Sequence, residues 1–119
     1  MKIVAIIQAR MGSTRLPGKV LLDLIGEPIL VRVVSRSQRA MALDEVIIAT
    51  TVDPKDEAIV KLCSSRGWNY FRGSEEDVLD RYYQTAKRYN VDVIVRITSD
   101  CPLIEPEIID LVVREYLHD

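Results

Sequence analysis

The sequence predicts an α/β fold of three layers, a mostly parallel sheet with helices on both faces. Three observations predict it. Apolar runs of strand length recur, such as Ile3-Val4-Ala5-Ile6-Ile7 and Val46-Ile47-Ile48-Ala49-Thr50, as in strands buried on both faces. Between them lie segments whose apolar residues fall at helical spacing. The order is βαβαβαβα, which implies parallel strands joined by right-handed crossovers. No internal repeat, linker or low-complexity stretch interrupts residues 1–119, so one domain is expected.

The first strand is expected from about Lys2 to Gln8. A polar loop follows and ends near a short apolar stretch, Lys19-Val20-Leu21-Leu22. Asp23 to Pro28 reads as a turn into a helix, with Pro28 near its first position. That helix runs to about Ala40. Ile29, Leu30, Val33 and Val34 share its inner face, and Arg32, Arg36 and Arg39 form an opposite, solvated stripe. After the second strand, Asp53 can cap a helix that starts at Pro54. Ala58, Ile59, Leu62 and Cys63 are its expected core face, and Gly67 suits the left-handed residue that ends it. Trp68 to Arg72 is the third strand. Ser74 with Asp77 resembles a capping box opening the next helix, whose apolar face reads Val78, Leu79, Tyr82, Tyr83 and Ala86. Val91 to Ile97 is the fourth strand, and a last helix runs from about Glu105 to Leu117 with acidic residues at its positive end.

Composition excludes several classes. With 48% hydrophobic and 29% charged residues and a formal net charge of -2, the chain reads as a soluble globular domain. A basic surplus, the usual mark of a nucleic-acid binder, is missing, so no nucleic-acid partner is expected. No apolar run approaches a membrane span, and the N-terminus is too short for a signal peptide, so no membrane partner and a cytoplasmic location are expected. Cys63 and Cys101 lack metal spacing and read as free thiols.

The chemistry is expected in the loop after the first strand. Arg10, Arg15 and Lys19 alternate there with Gly12, Ser13, Thr14 and Gly18. Glycines admit a close phosphate approach, backbone amides can form an anion nest, and cations bind phosphate oxygens. A solvated basic loop is the plainer alternative, but the loop leaves the end of a buried strand, where open α/β sheets bind ligands. It is not a P-loop, since Gly18-Lys19 is followed by Val20, and no G-x-G-x-x-G occurs. The loops after all four strands are expected at one edge, with cations in the first and third and carboxylates in the second and fourth. Asp100 is the magnesium candidate there, with a turn or cap role as the plainer reading. His118, the single histidine, reads as a surface residue rather than a base.

The pattern Gln8-Ala9-Arg10-x-x-Ser13-Thr14-Arg15-Leu16-Pro17-x-Lys19-x-Leu21 resembles the signature loop of the sugar-acid cytidylyltransferases, the synthetases of CMP-activated Kdo, sialic acid and related acids. The spore-coat polysaccharide biosynthesis (SpsF) type is the most similar branch. The resemblance continues through Asp77-Val78-Leu79-Asp80-Arg81-Tyr82 and Thr98-Ser99-Asp100-Cys101-Pro102-Leu103. It implies a nucleotide-diphospho-sugar transferase-like, Rossmann-like fold and transfer of CMP from CTP to an acidic sugar, with release of pyrophosphate. It implies that Arg10, Arg15 and Lys19 hold the triphosphate and act catalytically. Gln8, Ala9, Gly12 and Ser13 would cradle the nucleotide, with Arg72, Ser74 and Thr98 near its base, and Asp100 would bind Mg2+. Thr98-Ser99-Asp100 departs from the Gln-Gly-Asp of the Kdo branch, so the base or ribose contact there is expected to differ. Family members continue well beyond this length, which implies a truncated, nucleotide-binding portion. Self-association, as a homodimer or otherwise, is expected from the sheet edge this would leave. Two alternatives are a nucleotidyltransferase of the same fold using another triphosphate, such as GTP, and a non-catalytic nucleotide-binding or assembly module. A response-regulator-like domain ranks last, because Gln8 and Arg10 stand where it needs an acidic cluster.

Overall fold

A computed structural model of the chain describes residues 1–12, 18–99 and 104–118. Strand β1 (Ile3–Gln8) is followed by a 3-10 turn (Lys19–Leu21) and two short strands, β2 (Asp23–Leu24) and β3 (Glu27–Pro28). Then come α1 (Ile29–Gln38), β4 (Glu45–Thr51), a second 3-10 turn (Pro54–Asp56) and α2 (Glu57–Arg66). The chain continues with β5 (Asn69–Gly73), α3 (Val78–Arg88), β6 (Val93–Thr98) and α4 (Pro106–His118).

The main sheet has the order β5-β4-β1-β6, and every neighbouring pair is parallel. The chain steps outward from β1 to β4 and β5, then returns to the other side of β1. The order therefore reverses between β1 and β6, and that reversal is where doubly wound sheets open a ligand crevice. In register, Gln8 lies beside Ala49 of β4 and Thr98 of β6, at the C-terminal edge.

Alternation along β1 divides the core. Ala5, Ile7 and Ala9 face Leu30, Val33 and Val34 of α1, Ile59 and Cys63 of α2, and Ile109 and Val113 of α4. Val4 and Ile6 face Tyr82 and Ala86 of α3. Helices thus cover both faces, as the continuous apolar strands require. Gly67 ends α2 at φ 74, the left-handed cap expected of it. Among the described residues, no helix is long and apolar enough to cross a membrane.

Several local expectations are corrected. Residues 23–28 form a β-hairpin rather than a plain turn, with Ile25 (φ 51) and Gly26 (φ 87) at its tip. Arg32 and Arg36 are half-buried and bonded to the protein rather than fully solvated. Arg32 donates to the carbonyls of Leu24 and Ile25, and Arg36 donates to the Ile104 carbonyl and pairs with Glu105. The proline-led start of the second helix is a 3-10 turn, and on α2 Val60 is buried where Ala58 is exposed. Helix α3 starts at Val78, with Asp77 rather than Ser74 as its N-cap. Leu79 and Tyr83 are 67% and 60% exposed, so the core face of α3 is turned away from them and toward Arg81, Tyr82, Thr85 and Ala86.

Candidate functional site

The parallel sheet brings the ends of β1, β4, β5 and β6 to one edge, as expected. Gln8, Ala9, Arg10, Gly12, Lys19, Arg72, Ser74 and Thr98 are all described; Ser13, Arg15 and Asp100 lie outside the described residues. The loop after β1 is anchored by its backbone. The Ala9 N–H donates to the Ala49 carbonyl at 2.9 Å and the Gly18 N–H to the Met11 carbonyl at 2.9 Å. The Met11 N–H donates to Asp56 Oδ1 at 2.7 Å. These three amides are therefore committed within the protein and are not donors for a ligand. Gly18 takes φ 76, which admits the chain to the 3-10 turn that begins at Lys19.

Asp56 is a residue the sequence reading missed. It is 2% exposed, and its carboxylate also accepts the hydroxyl of buried Thr51. It sits in the 3-10 turn after β4 and ties that turn to the loop after β1, forty-five positions away in sequence. Nothing in Asp53-Pro54-Lys55-Asp56 distinguishes it locally from a solvated acid.

Arg81 is the second such residue. It is fully buried, and no carboxylate pairs with it among the described residues. Its Nη1 donates to the Ser74 carbonyl at 2.9 Å and its Nη2 to Gln8 Oε1 at 2.5 Å, while its Nε has no partner. Burial and then the charge of Arg10 lower its pKa from the usual arginine value. A side chain on Gly73 would meet Arg81, since a Cβ there would lie 3.1 Å from Arg81 Cγ. The absence of that side chain is what lets the guanidinium pass beneath the β5–α3 loop.

Arg72 reaches the same edge but is directed elsewhere. Its Nε donates to the Thr51 carbonyl, its Nη2 to the Asp53 carbonyl, and its Nη1 bonds Glu57 at 2.7 Å. It braces the loop after β4. Ser74 accepts the Asp77 N–H on its hydroxyl and Arg81 on its carbonyl. Thr98 is exposed, and on the same strand the Arg96 guanidinium stacks 4.6 Å over the Tyr82 ring. Tyr82 itself is core, as expected.

Half-buried Asp53, in the loop after β4, meets exposed Glu75, in the loop after β5. The Lys55 N–H and a hydrogen bond to Glu75 hold Asp53 below the ordinary carboxylate range, and the same contact with Asp53 raises Glu75. Among the described residues no three metal-ligating side chains cluster. A magnesium ion bound mainly by phosphate oxygens and water needs only one or two carboxylates, so the donor chemistry of this edge is compatible with one.

A family model described as cytidylyltransferase matches residues 4–119. The chain is 40% identical over 118 residues to the spore coat polysaccharide biosynthesis protein SpsF of Bacillus subtilis, covering 96% of this chain and 49% of that protein. A cytidylyltransferase structure from Leptospira borgpetersenii superposes with a TM-score of 0.94 at 42% identity, over 100% of this chain and 50% of the other. The structure of a CMP:2-keto-3-deoxy-manno-octonic acid synthetase complexed with CTP superposes with a TM-score of 0.85 at 29% identity, over 100% and 48%. The chain therefore spans about half the length of the relatives it matches.

Proposed function

Because the chain belongs to the cytidylyltransferase family, we propose that it binds CTP at the C-terminal edge of its sheet and serves transfer of CMP to an acidic sugar. Pyrophosphate is released, and the product feeds cytoplasmic synthesis of a spore-coat or other cell-surface polysaccharide. The observation that carries this reading is the loop after β1. That loop carries Arg10 and Lys19, leaves the sheet beside the reversal of strand order, and has its Met11 amide held by Asp56, which supports the reading.

In the proposed reaction a sugar hydroxyl oxygen bonds to the α-phosphorus, the bond from that phosphorus to the bridging oxygen breaks, and the hydroxyl proton passes to solvent. Arg10, Arg15 and Lys19 would hold the triphosphate and offset the charge that gathers on the leaving pyrophosphate. Ser13 and the Gly12 backbone would contact its oxygens. Mg2+, held by Asp100, would supply further charge neutralisation when bound.

Isothermal titration of CTP, UTP, GTP and ATP with magnesium tests this. CTP should bind best, and Arg10→Ala should weaken it by about 1.5–3 kcal/mol, the scale of a charge-assisted hydrogen bond. Asp100→Asn should remove the magnesium dependence. A preference for GTP or ATP would reject the cytidylyl reading. The proposal includes pairing with a second copy, since β6 is an edge strand and α4 exposes Ile108, Val112 and Tyr116. A monomer at all concentrations in analytical ultracentrifugation would refute that part.

A further inference from the structure

The outer side of α1 gathers more positive charge than the fold consumes. Arg32, Arg36 and Arg39, the last at the C-cap, follow one another at spacings of four and three, opposite the core residues Leu30, Val33 and Val34. Arg66, the last residue of α2, joins them. All four line one cavity of about 450 Å³, which is walled on another side by Leu24 and Ile25 of the β2–β3 hairpin. Glu27 is the one carboxylate in that wall among the described residues. Like charges three or four apart on a helix repel. The chain as a whole has a formal net charge of -2, so this is a local concentration of cations and not general basicity.

Three of the guanidiniums are held in place by the protein. Arg32 donates from Nε and Nη2 to the Leu24 carbonyl and from Nη2 to the Ile25 carbonyl. Arg36 donates from Nε to the Ile104 carbonyl at 2.7 Å, and its Nη2 pairs with Glu105. Arg66 Nη2 meets Glu27 at 3.0 Å. A guanidinium carries five N–H groups, and these contacts leave the Nη1 donors of all three unused. The side chain of exposed Arg39 makes no hydrogen bond or ion pair among the described residues. Fixed guanidiniums with spare donors, beside a fourth that is uncommitted, make a preorganised anion receptor.

We propose that this cavity is a second ligand site, which takes the phosphoryl group of a phosphorylated organic molecule. Phosphate presents several oxygens at once, and arginine forks bind them in pairs. Ser35, between Arg32 and Arg36 on the same wall, offers a hydroxyl donor. The rest of the ligand has an apolar wall to lie on. Val31 lines the cavity with Leu24 and Ile25, and Ile25 is 90% exposed. The volume is in the range of a small-molecule site, roughly 300–1,000 Å³. None of the lining residues belongs to the loop after β1 or to the ends of the parallel strands, so the site does not depend on the CTP reading. A soluble phosphorylated metabolite and a phospholipid headgroup carry this same chemistry.

Titration with inorganic pyrophosphate, followed by amide and arginine side-chain NMR signals, tests this residue by residue. The signals of Ser35, Arg36, Arg39 and Arg66 should shift together and saturate. Arg39→Gln should weaken that binding about tenfold, the scale of one charge-assisted contact. Because the Arg39 side chain holds nothing else, thermal melting should be unchanged. Arg10→Ala should leave these four signals shifting as in the wild type, which separates the cavity from the nucleotide edge. Sedimentation with vesicles of phosphatidic acid in phosphatidylcholine, lost in Arg39→Gln, would assign the phosphoryl group to a lipid. Pyrophosphate binding without sedimentation would assign it to a soluble ligand. Shifts confined to the loop after β1, or an Arg39→Gln affinity within about twofold of wild type, overturn the inference and leave the CTP site standing. A glutamate-rich peptide that shifts the four signals where pyrophosphate does not would overturn it in favour of an acidic protein partner.

Discussion

Asp56 offers the sharpest test of how the site is held. Its carboxylate is buried and accepts two hydrogen bonds, from the Met11 N–H at 2.7 Å and from the Thr51 hydroxyl. A hydrogen bond to a charged group contributes about 1.5–3 kcal/mol, and removing the acceptor leaves each donor unsatisfied. The two bonds share one carboxylate and are not independent, so Asp56→Ala should cost about 3–5 kcal/mol. A domain of this size has roughly 6–18 kcal/mol in total, which makes the loss large. Asp56→Asn should cost less, about 1–2 kcal/mol. Its oxygen can still accept from Met11, but its NH2 confronts a Thr51 hydroxyl that already accepts the Asp53 N–H at 3.1 Å. Urea denaturation reads both. At an m of about 2 kcal/mol/M, Asp56→Ala should lower the midpoint by about 1.5–2.5 M with m unchanged. The variant should also bind CTP more weakly, because the Met11 amide sets the start of the cationic loop. A loss below about 1 kcal/mol for Asp56→Ala would refute the claim that this carboxylate fastens the loop.

Three further outcomes are expected. Ile25 is 90% exposed at φ 51, where a β-branched residue is strained, so Ile25→Asn should stabilise the chain by roughly 1 kcal/mol in the same assay; a destabilised variant would mean that the hairpin tip uses the isoleucine. Burial pushes the Cys63 thiol up to about 11, so maleimide at neutral pH should label it only on the timescale of unfolding; rapid stoichiometric labelling in a Cys101→Ser background would contradict this. Asp110 accepts the N–H groups of Met41 and Ala42, which hold its carboxyl below the ordinary range. A depressed carboxylate contributes stability that is present above the unfolded pKa and lost as pH falls through the folded one. The deficit of Asp110→Ala should therefore be full at neutral pH and shrink below about pH 4, and a deficit independent of pH would exclude the mechanism.

The strands and three-layer order were legible because they rest on local signals. Ile3 to Ile7 and Val46 to Thr50 are too apolar for any surface element, and Gly67 marks its helix end by itself. The cationic loop was read from residue chemistry alone, and its Ser13 and Arg15 lie outside the described residues. The clasps were not. Asp56, Arg36 and Arg81 are charged residues in polar neighbourhoods, and each acts on a backbone or side chain distant in sequence. Charge on a helix is usually solvated, and only the tertiary partner reverses that expectation.

Helix α3 shows how one such residue resets a whole element. An apolar stripe through Val78, Leu79, Tyr82, Tyr83 and Ala86 satisfies helical periodicity, and burying it would turn Arg81 away from the sheet. The structure instead buries Arg81, Tyr82, Thr85 and Ala86 and leaves Leu79 and Tyr83 in solvent. That rotation exposes two large apolar side chains, and leaving each of them out costs about 1.5–3 kcal/mol of burial. The compensating features are polar. Thr85 returns its hydroxyl to the Arg81 carbonyl at 2.7 Å, Gly73 makes room, and Gln8 and Ser74 receive the guanidinium. A helix placed to maximise apolar burial would not choose this face. One placed to hold a cation against the end of β1 would, and the cost falls at the edge where the proposed site lies.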